Sequence, residues 1–128
     1  MAYYFSKNID CSFDEAVAKV TDELRKEGFG ILTEIDVKET LKKKLDVDFR
    51  KYKILGACNP PFAYKALQAE ENIGVLLPCN FIVQEKADSK VQVSAVNPIE
   101  SMQNVGNESL SIIAIEVTNR LKRVMNTL

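Results

Sequence analysis

The chain has 128 residues, 46% of them hydrophobic and 27% charged, with 17 basic against 18 acidic side chains for a formal net charge of −1. That length suits one domain with one real core, and the balance is that of a folded chain rather than a disordered one. No basic excess exists to neutralise phosphates, so nucleic-acid binding is not expected. Histidine is absent, which removes Ser-His-Asp and Cys-His catalysis and every His-containing zinc site.

The opening stretch MAYYFSKNID has no basic segment followed by a long apolar one, unlike a secretory signal. No apolar run approaches the ~20 residues that span a bilayer. The expectation is a cytoplasmic protein with no membrane contact. Its three cysteines are an odd number with no secretory signal, which suggests reduced thiols rather than a disulfide framework.

Residues 2–9 read as a strand, with Tyr3, Phe5 and Ile9 on one face. Ser12 is placed to cap a helix over 13–27, with Glu15 three residues on. Phe13, Ala16, Val17, Val20 and Leu24 form its apolar stripe, and Gly28 ends it. A strand follows over 30–37, with Ile31, Thr33, Ile35 and Val37 on one side, then a charged helix over 38–45. Acidic residues flank Lys42-Lys43-Lys44, so that run reads as a solvated face rather than a phosphate patch.

A third strand over 52–57 stops at Cys58-Asn59-Pro60-Pro61. Asn59 suits a helix cap and the prolines suit a first turn, so a helix follows to Ala69. Gly74 releases the chain into a strand over 75–85, where Val75, Leu77, Cys79, Phe81 and Val83 share a face. Pro78 cannot donate to a ladder and implies an edge, bulge or bend. The strand–helix–strand order suggests a right-handed crossover to a parallel neighbour. A turn at 87–89 leads to a hairpin strand over 91–96, then an irregular segment over 97–106. The last helix, over about 107–125, has the stripe Leu110, Ile113, Ala114, Val117, Leu121 and Val124. Ile112 and Ile115 fall outside it, which fits either a dimer contact or deep burial. The order β-α-β-α-β-α-β-β-α makes a single α+β domain over residues 1–128.

Chemistry concentrates at two similar triplets, Cys58-Asn59-Pro60 and Pro78-Cys79-Asn80. Side-by-side strands would bring Cys58 and Cys79 close, as a redox pair or a soft-metal pair. A helix start after Cys58 favours a thiolate. Cysteine is also a small hydrophobe, and Cys79 shares a face with Leu77 and Phe81, which favours burial. Cys11 has no partner in the sequence. Glu34, Asp36, Glu85 and Glu116 show no spacing that pairs them for acid–base work, and Gly28-Phe29-Gly30 is a helix stop rather than a phosphate loop.

The segments ILGACNPPFAYKAL and IGVLLPCNFIV resemble a bacterial and archaeal family known only as domain of unknown function number 302. Gly56, Cys58, Asn59, Pro60, Ala63, Ala66, Leu67, Leu76, Leu77, Pro78 and Cys79 carry the resemblance. It implies a curved, mostly antiparallel sheet with packed helices, similar to TATA-binding-protein-like folds, and a homodimer. It brings no activity, cofactor, metal or catalytic residue, and the fold analogy does not imply DNA binding.

The favoured reading is a homodimeric small-molecule binding or sensing module. Its candidate ligand-binding residues are Cys58, Asn59, Cys79 and Asn80, and the 97–106 segment would line the cleft. A thiol-dependent enzyme or redox protein using Cys58 and Cys79 is the alternative. A structural or regulatory partner protein, docking through its last helix, is the third reading.

Overall fold

The computed structural model describes residues 2–128. Five strands form one sheet: β1 (Tyr4–Ile9), β2 (Gly30–Asp36), β3 (Tyr52–Cys58), β4 (Cys79–Glu85) and β5 (Val91–Val96). Their order across the sheet is β1-β5-β4-β3-β2, and every neighbouring pair is antiparallel. The helices are α1 (Phe13–Lys26), α2 (Val37–Leu45), α3 (Pro60–Ala69), α4 (Pro98–Met102) and α5 (Glu108–Thr127).

Strand alternation assigns each residue to a face. Phe81, Val83, Val93 and Leu55 point to the helix side and are fully or almost fully buried with Val20 and Leu24 of α1 and Leu121 and Val124 of α5. Both helices have apolar stripes at helical spacing, and burying those stripes against the sheet drives the assembly.

Local chemistry fixes the ends of the helices. The Ser12 hydroxyl accepts the Glu15 N–H at 3.1 Å and starts α1. At its other end Phe29 N–H reaches the Leu24 carbonyl at 2.9 Å and Gly28 N–H the Arg25 carbonyl at 3.0 Å. This closure needs Gly28 at φ +86°. Helix α5 clamps the same corner: Arg123 holds the Glu27 carboxylate at 3.0 Å, and Arg120 donates to the Glu27 carbonyl at 3.1 Å.

Four expectations from the sequence are corrected. The chain between β3 and β4 leaves and re-enters the sheet at the same end, so these strands pair antiparallel and no parallel crossover exists. The strand expected over 75–85 starts only at Cys79, because Glu71–Leu76 form a 3₁₀ turn and a cis Leu77–Pro78 bond follows. In β2 a bulge at Leu32 puts Ile31 opposite Ala57 but Thr33 opposite Gly56, so Ile31 does not share a face with Thr33 and Ile35. The 97–106 segment is not irregular: Pro98–Met102 are helical, and 3₁₀ geometry continues to Val105.

Candidate functional site

The end of β3, the start of β4 and the exit from β5 meet at one end of the sheet, under α3, α4 and α5. They enclose a cavity of about 300 Å³. Phe29 and Ala57 form part of its wall, Phe62 and Ala66 come from α3, Met102 from α4, and Ile113, Ala114 and Val117 from α5. Leu32, on the β2 bulge, and Leu67, on α3, also line it while remaining 68% and 44% exposed, which places them towards its mouth.

Asn59 lines the cavity, but its amide is committed to the fold. Its Oδ1 accepts the Phe62 N–H at 3.5 Å and starts α3, while its Nδ2 donates to the Glu27 carbonyl at 3.3 Å. The fit is close: a Cβ on Gly28 would lie 3.0 Å from Asn59 Nδ2. Asn59 therefore ties α3 to the end of α1.

Cys58 and Cys79 line the same cavity as free thiols. Cys79 pairs with Ala57 across β3 and β4, which puts Cys58 one residue further along. Burial pushes the Cys79 thiol up to about 11, with a smaller contribution from Cys58. Burial also raises the Cys58 thiol. Both cysteines are held neutral, the opposite of an activated nucleophile. The thiolate expected at the start of α3 is outweighed by desolvation.

Asn80 does not join this group. It pairs with Gly56 and is exposed, so it faces the other side of the sheet and lines a separate recess. The structure thus brings Cys58, Asn59 and Cys79 together and leaves Asn80 apart.

Three of the four carboxylates considered above have structural partners. Glu34 pairs with Lys53 at 2.9 Å, Glu116 with Arg120 at 3.4 Å, and Asp36 caps α2 through the Glu39 N–H at 3.0 Å. In the lysine run, Lys42 meets Asp46 and Asp48, and Lys43 meets Glu39. Among the described residues no three His, Cys, Asp or Glu side chains are grouped to hold a metal ion. No helix among them is long and apolar enough to cross a membrane.

The 97–106 segment, expected to line the cleft, supplies Pro98 and Met102; the rest of the far wall is not legible in the sequence. Phe29, Ile113 and Val117 carry no signal of their own beyond hydrophobicity, and only the tertiary fold brings them together.

One open antiparallel sheet, helices on one side and an apolar cavity at its end define a small α+β domain. The chain belongs to the family described as Domain of unknown function DUF302, whose model matches residues 5–128. The crystal structure of an uncharacterized conserved DUF302 protein from Bacillus stearothermophilus shares the fold, with a TM-score of 0.91 over 98% of each chain at 24% identity. No curated protein matches.

Proposed function

We propose that this domain binds a small, uncharged, apolar molecule at the end of its sheet and works as a cytoplasmic homodimer. The cavity carries this reading. No charged side chain lines it among the described residues. Its one amide is already bonded at both ends, and burial keeps its two thiols neutral. A charged or heavily hydroxylated ligand would lose water there without regaining hydrogen bonds, at about 1–3 kcal/mol for each unpaired group. Its volume is at the small end of ligand sites, which suits a single ring or a short alkyl chain.

The dimer rests on α5. Ile112 and Ile115 are 71% and 51% exposed, and they lie outside the stripe that packs on the sheet. Of the two sequence readings for these isoleucines, their exposure favours the contact face. Reduced, free thiols fit a cytoplasmic setting. The thiol-enzyme reading loses support because neither sulfur is activated.

Native mass spectrometry of freshly purified protein tests both halves of the proposal. The expected spectrum is a dimer carrying a small neutral adduct, with monomer recovered in an Ile112→Glu, Ile115→Glu variant. A thermal-shift screen with indole, naphthalene and octanol should raise the melting temperature. If none of these probes shifts it and no adduct is retained, the binding reading fails.

A further inference from the structure

The face of the sheet away from α1 and α5 has a recess of its own, about 470 Å³ in volume. Asn80, Gln84, Gln92 and Ser94 lie along it on β4 and β5, with Tyr4 on β1 and Tyr52 on β3. Tyr4 stands opposite Val96 at the end of β5, whereas Tyr52 is in line with Gln84 and Gln92 at its start. The two tyrosines therefore flank the recess at opposite corners. Although 27% of the chain is charged, no charged side chain lines this recess among the described residues.

Part of its floor is held in place. Gln84 accepts Arg50 Nε at 3.0 Å and donates to Gln92 Oε1 at 3.2 Å. That leaves Gln92 Nε2 and the whole Asn80 amide without a protein partner among the described residues. The Arg50 guanidinium lies over the Phe49 and Tyr52 rings, at 4.4 and 5.5 Å from their centroids. Tyr3 packs edge-on against Tyr4 at 4.9 Å and widens the other corner.

We propose that this recess is a second binding site, independent of the apolar cavity, and that it takes a neutral sugar. A sugar ring has an apolar C–H face that packs on tyrosine, and hydroxyls that both donate and accept. Amides and hydroxyls have the same dual capacity, so every polar contact can be matched in either direction. An anion would find no cation among the described lining residues: Arg50 lies beside the recess, with its Nε on Gln84 and its guanidinium over the Tyr52 ring. An aliphatic ligand would strip water from the Asn80 and Gln92 amides without replacing it. Neutral amides between aromatic corners select for an uncharged, hydroxyl-rich ring.

Titrating the ¹⁵N-labelled full chain with maltose, cellobiose and diacetylchitobiose tests the site. Adenosine and glucuronate serve as counter-probes. At least one sugar should move the Asn80 and Gln92 side-chain NH₂ signals saturably, leaving the cavity amides of Ala63 and Leu67 in place. Asn80 and Tyr4 are exposed, so Asn80→Ala and Tyr4→Ala should fold normally. Each should weaken binding about fivefold, the worth of one good contact. The proposal is overturned if no sugar acts at tens of millimolar, or if adenosine or glucuronate moves the signals and the sugars do not. It is also overturned if the same signals shift on simple dilution, because a second copy of the chain would then cover the face.

Discussion

The two faces of β4 are separated by one peptide unit and have opposite chemistry. Cys79, Phe81 and Val83 face the helices, and Phe81 and Val83 are 0% exposed. Asn80, Ile82 and Gln84 alternate with them and face the uncovered side. On β5 the same division separates Val91, Val93 and Ala95 from Gln92, Ser94 and Val96. The outward positions of these two strands carry amides, a hydroxyl and aliphatics rather than charges. A ligand at the apolar end of the sheet must give up its water, while one on the outer face can keep its hydrogen bonds. One backbone ladder supports both kinds of recognition because side-chain direction reverses at every residue.

Truncation on the two sides of one strand gives the largest contrast. Phe81→Ala removes a completely buried ring from the centre of the core and should cost about 3–5 kcal/mol in urea unfolding. Ile82→Ala, one residue on, should cost less than about 1 kcal/mol, since that side chain is only partly covered. Equal costs would mean that the outer face is buried in the working protein, and the contrast between the faces would be lost.

The pH dependence of stability probes the thiols on the apolar side. The Cys79 thiol has a folded pKa of about 11 against an ordinary 9.0. The unfolded chain therefore loses this proton first. The contribution is fully present below pH 9 and falls away as pH rises towards 11. The loss reaches roughly 2–3 kcal/mol, from about 1.4 kcal/mol per pKa unit. Denaturant melts between pH 8 and 11 should show this slope, and Cys79→Ala should reduce it to the smaller part contributed by the raised Cys58 thiol. In the native protein at neutral pH, Cys79 should resist alkylation and Cys58 should react more slowly than a free thiol.

How much of this was legible depended on whether the signal was local. Helix α1 could be read because its cap, stripe and glycine stop all lie within the segment they define. The cluster of Cys58, Asn59 and Cys79 was legible as two triplets at strand ends, although the expected parallel crossover was wrong. That crossover would have required the chain to travel the length of the sheet. Instead ten residues of α3 and a 3₁₀ turn fold back at one end. Val75 looked like strand because it continues the alternation of Leu77, Cys79 and Phe81, yet it lies outside the ladder and is 85% exposed. Pro78 was the correct warning. The bulge at Leu32 left no mark in the sequence, since Ile31, Thr33 and Ile35 alternate as if the strand were regular.

Gly56 tests the boundary between the two faces. Its missing side chain would point outward, where an added Cβ would collide with the Thr33 hydroxyl and lie 2.7 Å from Pro78 Cγ. Gly56→Ala should therefore destabilise by about 1–3 kcal/mol through overpacking. Thr33→Ala in the same chain should recover only part of that loss, because the proline ring remains. Full recovery would show that Pro78 moves freely and does not set the edge of the cavity.

A modest gain in stability should accompany the largest effect on binding. Ala114 is 3% exposed and lines the apolar cavity from α5. Ala114→Leu would place apolar carbon in that space, raising stability by about 0.5–2 kcal/mol as cavity filling commonly does. The same change should remove the retained neutral adduct and the thermal shift produced by indole or naphthalene, because no room for the ligand remains. Sugar titration of the outer face should be unaffected. A variant that lost both responses would show that the two faces are coupled through the sheet, and one that lost neither would place the apolar ligand elsewhere. Losing the first response alone is the outcome that two independent sites on one sheet require.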